Sequence, residues 1–112
     1  MSGPGLSLAD RHCKPGAPLL ADSDAAALYH QLPGWRIVDG KQLSKSFVFP
    51  DFAAALAFVN RVGEVAEAEG HHPDLHLAWG RVDAVTWTHS AGGLTESDFV
   101  LAAKIDRAFP AR

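Results

Sequence analysis

A chain of 112 residues, 47% of them apolar, is long enough for one small core and too short for two. A net charge of -3 offers no basic field for nucleic acid or anionic lipid, so direct nucleic-acid and membrane binding are set aside. A lone cysteine, Cys13, no apolar run near the ~20 residues of a membrane span, and no secretory pattern in residues 1–10 together predict a soluble, cytoplasmic protein.

Residues 1–20 hold Gly3, Pro4, Gly5, Pro15, Gly16 and Pro18, breakers that predict a flexible, extended arm, with the domain proper in residues 21–112. Asp22 or Ser23 is expected to cap a short helix over 25–31, with Leu28 and Leu32 on one face and Pro33-Gly34 ending it. Residues 35–38 and 43–49 read as strands around Asp39-Gly40, a pair that readily supplies positive φ. Leu43, Lys45, Phe47 and Phe49 share one side of the second strand. Asp51 can cap the strongest helix, running to about Glu69. Phe52, Leu56, Val59, Val62 (or Gly63) and Ala66 recur there at spacings of three and four, and Phe58 and Val65 widen the stripe.

Gly70 suits the left-handed residue that closes a helix and Pro73 blocks continuation, which leaves His71 and His72 just past the helix end. Residues 75–79 and 82–89 read as a second pair of strands. Ala91-Gly92-Gly93 is a loop, and a last helix runs from Thr95 to about Phe109 with Phe99, Ala102, Ala103 and Ile105 inward. This order predicts an α+β fold, a four-stranded antiparallel sheet with three helices packed on one face. The last strand is apolar on both sides, Val82 and Ala84 on one and Val85 and Trp87 on the other. A partner subunit over the open face is therefore expected, in a homodimer or a tetramer built from dimers.

One constellation stands out: Glu67, three residues, His71-His72-Pro73, five residues, Trp79, nine residues, His89, eight residues, Asp98. In order and spacing it resembles the signature of the pterin-4a-carbinolamine dehydratase family. The resemblance extends through Thr88-His89, Gly93-Leu94-Thr95 and Ile105-Asp106, covers the chain from about Trp35 onward, and is most specific in the last 46 residues. It implies dehydration of a 4a-hydroxytetrahydropterin to the quinonoid dihydropterin. The leaving hydroxyl must receive a proton while N5 gives one up, which imidazoles do near neutral pH without a metal, nucleotide or redox cofactor. By the resemblance, His71 and His89 would flank the pterin and protonate the leaving hydroxyl of one or other 4a stereoisomer, and His72 would bind and orient. Glu67, Trp79, Thr88 and Asp98 would contact or place the substrate.

Plainer readings stand beside these. His-His before a proline can be a solvated turn at a helix end, Glu67 an exposed helical residue, and Trp79 a core aromatic. Asp98, three residues after Thr95, equally completes a capping box. A metal site among His71, His72, His76 and His89 is disfavoured, because adjacent residues of an extended segment point to opposite sides. Cys13-Lys14-Pro15-Gly16 resembles a segment of some bacterial and plant members that often carry a second cysteine, absent here. Gly70, Leu75 and Gly80 depart from the animal form, in which these positions are acidic, Trp and Asn. Leu75 to Gly80 and Trp87-Thr88-His89 look more like the bacterial and plant branch. That branch includes proteins resembling RuBisCO assembly factors, so a non-catalytic dimeric assembly factor on the same fold is the alternative. A dimerisation cofactor for a transcription factor ranks behind both.

Overall fold

The computed structural model describes residues 7–110; residues 1–6 of the expected arm and 111–112 of the expected domain lie outside the described residues. Helix α1 spans Asp22–Tyr29, strand β1 Arg36–Val38, strand β2 Gln42–Val48, helix α2 Phe52–Glu69, strands β3 Asp74–Ala78 and β4 Arg81–Thr86, and helix α3 Glu96–Ala108. The strands form one antiparallel sheet in the order β1-β2-β4-β3. This is the expected α+β arrangement. Among the described residues no helix is long and apolar enough to cross a membrane.

Local chemistry accounts for most boundaries. The Asp51 side chain accepts the Ala54 N–H at 2.9 Å to start α2, and Gly70 ends it at φ 65°, where a side chain would be strained. Asp39 and Gly40 both take positive φ, 54° and 68°, and the Lys41 N–H closes the turn onto the Val38 carbonyl at 3.0 Å. Helix α1 starts earlier than expected: Ala21 is its cap without a side-chain bond, and Asp22 and Asp24 fall in the first turn, where carboxylates oppose the helix dipole.

The register sets Leu43 opposite Thr86 and Phe47 opposite Val82, building the inner face on which the helices lie. Helix α2 presents Ala55, Phe58, Val62 and Ala66 to that face. Phe52 and Leu56, expected inward, are exposed instead. Phe58, with ring centroids 4.8 Å from Phe47 and 5.2 Å from Phe49, fixes the rotation of the helix and turns Phe52 and Leu56 outward. Lys45 does share the inner side with Leu43, Phe47 and Phe49, and its charge is met there. Its ammonium lies 2.8 Å from Asp106 Oδ1, while Trp35 Nε1 donates to Oδ2 at 3.0 Å. Asp106→Ala would leave the Trp35 indole N–H unpaired and the half-buried Lys45 ammonium with the Pro33 carbonyl at 3.5 Å and the Phe47 ring but no carboxylate. It is expected to cost about 2 kcal/mol, read as a lowered urea midpoint at unchanged slope.

The open face of the sheet is largely polar, with rows Arg36-Ser44-Val85-Asp74 and Ser46-Asp83-His76; Ser46 donates to Asp83 at 2.6 Å and Arg81 pairs with the same carboxylate. Of the large apolar side chains left exposed, Val48 shares this open face in register with Arg81, while Phe52 and Leu56 lie on α2 and Trp79 in the β3–β4 turn. The arm, from residue 7 on, is packed on the domain. A single 3-10 turn, Leu8–Asp10, buries Leu8 in the core. Lys104 Nζ donates to the Ala9 carbonyl at 2.9 Å, Arg107 pairs with Asp10, and the Leu20 N–H reaches the Leu94 carbonyl at 3.0 Å.

Candidate active site

The end of α2, the end of β4 and the start of α3 meet at one corner of the molecule. Because Gly70 turns left-handed, the chain leaves α2 sharply and His71 swings under α3. There its Nε2 lies 2.7 Å from Asp98 Oδ1. Asp98 is completely buried, yet four donors converge on it. Thr86 Oγ1 (2.8 Å) joins His71 on Oδ1, and Thr88 Oγ1 (2.7 Å) and the Thr95 N–H (3.0 Å) reach Oδ2. The bond from Thr95 belongs to the capping box of α3, so one carboxylate both caps the helix and holds the histidine. A carboxylate has no hydrogen to give, so Nε2 of His71 carries the N–H in this contact. Nδ1 is then the nitrogen left to exchange a proton.

His72, the next residue, faces the other way and pairs with Glu67 in the open, their side chains 60% and 79% exposed. The adjacent histidines thus part company, as expected of neighbours in an extended segment. Among the described residues, no three His, Cys, Asp or Glu side chains are grouped to hold a metal ion. His89 is not the end of a strand. The Thr88 N–H bonds to the Gly93 carbonyl at 2.8 Å and Gly92 takes φ 76°, which closes a tight loop and puts His89 at the start of a 3-10 turn, His89–Ala91. Its exposed ring packs on Trp87 at 3.8 Å between centroids.

A cavity of about 240 Å³ opens beside the His71–Asp98 pair. His71 and Gly70 form one side, Thr88 and Ser90 another, and Ser97 stands at the start of α3. Residues 13–16 of the arm, with Glu69, complete it. His89 is not among the lining residues; it stands in the chain between two of them, Thr88 and Ser90. Trp79 is not part of this group. It is 68% exposed in the β3–β4 turn, at the far end of a hairpin whose five-residue strand spans roughly 16 Å, and so is neither core nor cavity wall in this chain. A larger hollow of about 500 Å³ lies between α1, the β1–β2 turn and Gly92–Leu94, but no histidine lines it and its charged residues, Asp22, Asp39 and Lys41, are exposed.

The sequence reading missed Thr86, Ser97, Glu69 and the arm's share of the cavity. Glu69 lies at the last turn of α2, where its carboxylate accepts the Cys13 N–H at 2.8 Å and also meets His12 at 3.0 Å and Lys104 at 3.5 Å. Burial pushes its pKa up, but the Cys13 amide, His12 and Lys104 outweigh that and leave it below the ordinary carboxylate value. The Cys13 thiol goes the other way: burial, then the Glu69 charge, push it up to about 12.

Residues 18–108 match the family described as Pterin 4 alpha carbinolamine dehydratase. A protein of Rubrobacter xylanophilus, provisionally named pterin-4-alpha-carbinolamine dehydratase, is 54% identical over 95 residues, 85% of this chain and 89% of its own. A protein of Chlorobium limicola with the same provisional name is 54% identical over 92 residues, 80% of each chain. The crystal structure of a transcriptional coactivator/pterin dehydratase from Brucella melitensis superposes with a TM-score of 0.76 at 36% identity, covering 81% of this chain and 98% of that one. A pterin dehydratase-like protein described as a RuBisCO assembly factor in the alpha-carboxysome shares the fold, with a TM-score of 0.59 at 23% identity over 70% of this chain and 93% of its own.

Proposed function

The chain belongs to the pterin 4 alpha carbinolamine dehydratase family, and from that premise we propose that it is a hydro-lyase that converts 4a-hydroxytetrahydrobiopterin, or a close pterin, to the quinonoid dihydropterin. The observation that carries the reading is an imidazole at a cavity wall with one nitrogen committed to a buried, fully bonded carboxylate. In the reaction the C4a–O bond breaks, the oxygen leaves as water with a proton from an imidazolium, and the N5 proton departs as the C4a–N5 double bond forms. His71, oriented by Asp98, exchanges the proton on one flank of the ring. His89, carried in the chain between the lining residues Thr88 and Ser90, serves the other flank and the opposite 4a stereoisomer. His72 and Glu67, paired in solvent, guide and orient the pterin as it enters, and Thr88 steadies Asp98 while lining the cavity. The chemistry needs no cofactor.

The purified protein is expected to speed the loss of the 4a-hydroxypterin absorbance generated by a phenylalanine hydroxylase; turnover equal to buffer rejects the reading. The competing reading, a non-catalytic assembly factor, gives the His71–Asp98 pair no task. It predicts a loss of RuBisCO assembly on deletion of the gene with no change in pterin turnover. We further propose a homo-oligomer, dimer or dimer of dimers. Its support is the exposed apolar set Val48, Phe52, Leu56 and Trp79: Val48, on the open sheet face, pairs with Arg81 beside the Trp79-Gly80 turn, and Phe52 and Leu56 lie one turn apart on α2. Light scattering at micromolar concentration is expected to give at least twice the chain mass, and a monomer contradicts it.

A further inference from the structure

We infer that the arm is a working wall of the pterin cavity: residues 13–16 line it together with His71, Thr88 and Ser90, and Ser97 and Glu69 clamp them there as positioning residues for substrate binding. The inference rests on the dehydratase reading for the identity of the ligand, but on separate observations for the clamp.

The clamp is specific. The Ser97 hydroxyl accepts the Lys14 N–H at 2.9 Å and donates to the Lys14 carbonyl at 3.2 Å, so one side chain satisfies both backbone groups of a residue that has no strand or helix to pair with. Glu69 Oε1 takes the preceding N–H, that of Cys13, and the thiol donates to the Ser97 carbonyl at 3.4 Å. Gly16, at φ 72°, then turns the chain away.

The earlier part of the arm is already fastened by buried Leu8, by Lys104 on Ala9 and by Arg11 on Glu96, and the later part by Leu20 on Leu94. Those contacts suffice to hold the arm to the domain. The clamp adds a fixed position to the middle, where the arm lines the same cavity as His71. Ser97 precedes Asp98 on α3, and Glu69 ends α2 two residues before His71. Arm and acid–base pair are therefore referred to one rigid frame, and a ring seated against His71 also meets residues 13–16.

Cys13 reports the clamp directly. With its thiol protonated and half-buried, it should react slowly with a disulfide reagent at pH 8 while the arm is in place, and at an ordinary thiol rate once the arm lifts. The experiment uses the full chain with Ser97→Ala and, separately, Glu69→Ala. It follows Cys13 labelling, the affinity for 7,8-dihydrobiopterin as a stable pterin probe, and kcat and KM. Expected are labelling at least ~10-fold faster, probe affinity about 10-fold weaker, and KM raised by a similar factor with kcat within about threefold. Saturating probe should slow labelling in the variants, and Glu69→Gln, which keeps the acceptor for the Cys13 N–H, should restore most of the affinity.

Faster labelling with unchanged affinity and KM overturns the wall and leaves the dehydratase reading standing. Unchanged labelling in both variants overturns the clamp. Clamp-dependent binding of the probe by a wild-type protein without turnover upholds the wall and sinks the dehydratase reading, whereas a wild-type protein that neither binds the probe nor turns over overturns both.

Discussion

His71→Ala is expected to lower kcat for carbinolamine dehydration by about 100-fold or more, with a much smaller change in KM. The asymmetry follows from how the ring is held. Its Nε2 is spent on Asp98, which itself carries three further donors, so the residue contributes to the cavity mainly through the one nitrogen free to move a proton. Truncation to alanine leaves the carboxylate with Thr86, Thr88 and the Thr95 N–H still in place, so the fold should survive and the loss should be chemical. His89→Ala is expected to fall by the same order, because departure from the opposite 4a stereoisomer needs a donor on the other flank. His72→Ala should cost about tenfold or less, since that ring sits in solvent with Glu67. Stopped-flow measurement with each 4a stereoisomer separates the three. A His71→Ala protein that retains wild-type kcat would remove the central assignment.

The parts of this architecture that could be read in advance are those where one residue type answers a local backbone need. Asp51 and Gly70 bracket α2, Asp39-Gly40 makes the hairpin turn, and Thr95 with Asp98 opens α3; all four are local chemistry, and all are found in the structure. What escaped depended on distant partners. The stripe on α2 was ambiguous because apolar residues occupy so many of its positions that two rotations bury a plausible set, and only contact with Phe47 and Phe49 selects the one through Phe58. Breakers in the arm weigh against a long regular element there, which says nothing of where it lies. Leu8 and the acceptors on Ser97 and Glu69 decide that, from sequence positions more than fifty residues away. Trp79 was placed by family spacing alone, and spacing along a hairpin does not bring its tip to its base. The capping-box reading of Asp98 is met in the structure, and the same carboxylate also holds His71.

That double duty makes Asp98→Asn the most damaging nearly isosteric change the structure offers. The amide has one oxygen where the carboxylate had two, and both existing oxygens each serve two donors. If the amide oxygen stays with Thr86 and His71, its NH₂ confronts the Thr88 hydroxyl and the Thr95 N–H. The hydroxyl can rotate; the backbone N–H, fully buried, cannot, and is orphaned. If the amide flips, the NH₂ confronts Thr86 and Nε2 of His71, and the imidazole can accept it only by moving its own hydrogen to Nδ1, which inverts the tautomer presented to the substrate. Either choice harms one of the two duties. The expected result is a loss of roughly 3 kcal/mol of stability, from an unsatisfied buried donor and a broken charge-assisted pair, together with a fall in kcat of about 100-fold or more. Thr86→Val removes only one donor from the same oxygen and should cost about 1 kcal/mol with little effect on kcat. Thermal unfolding, turnover and the nitrogen chemical shifts of His71 in the three proteins distinguish these outcomes. An Asp98→Asn protein with wild-type melting temperature and kcat would mean that the carboxylate is neither cap nor anchor, and that His71 draws its orientation from somewhere else.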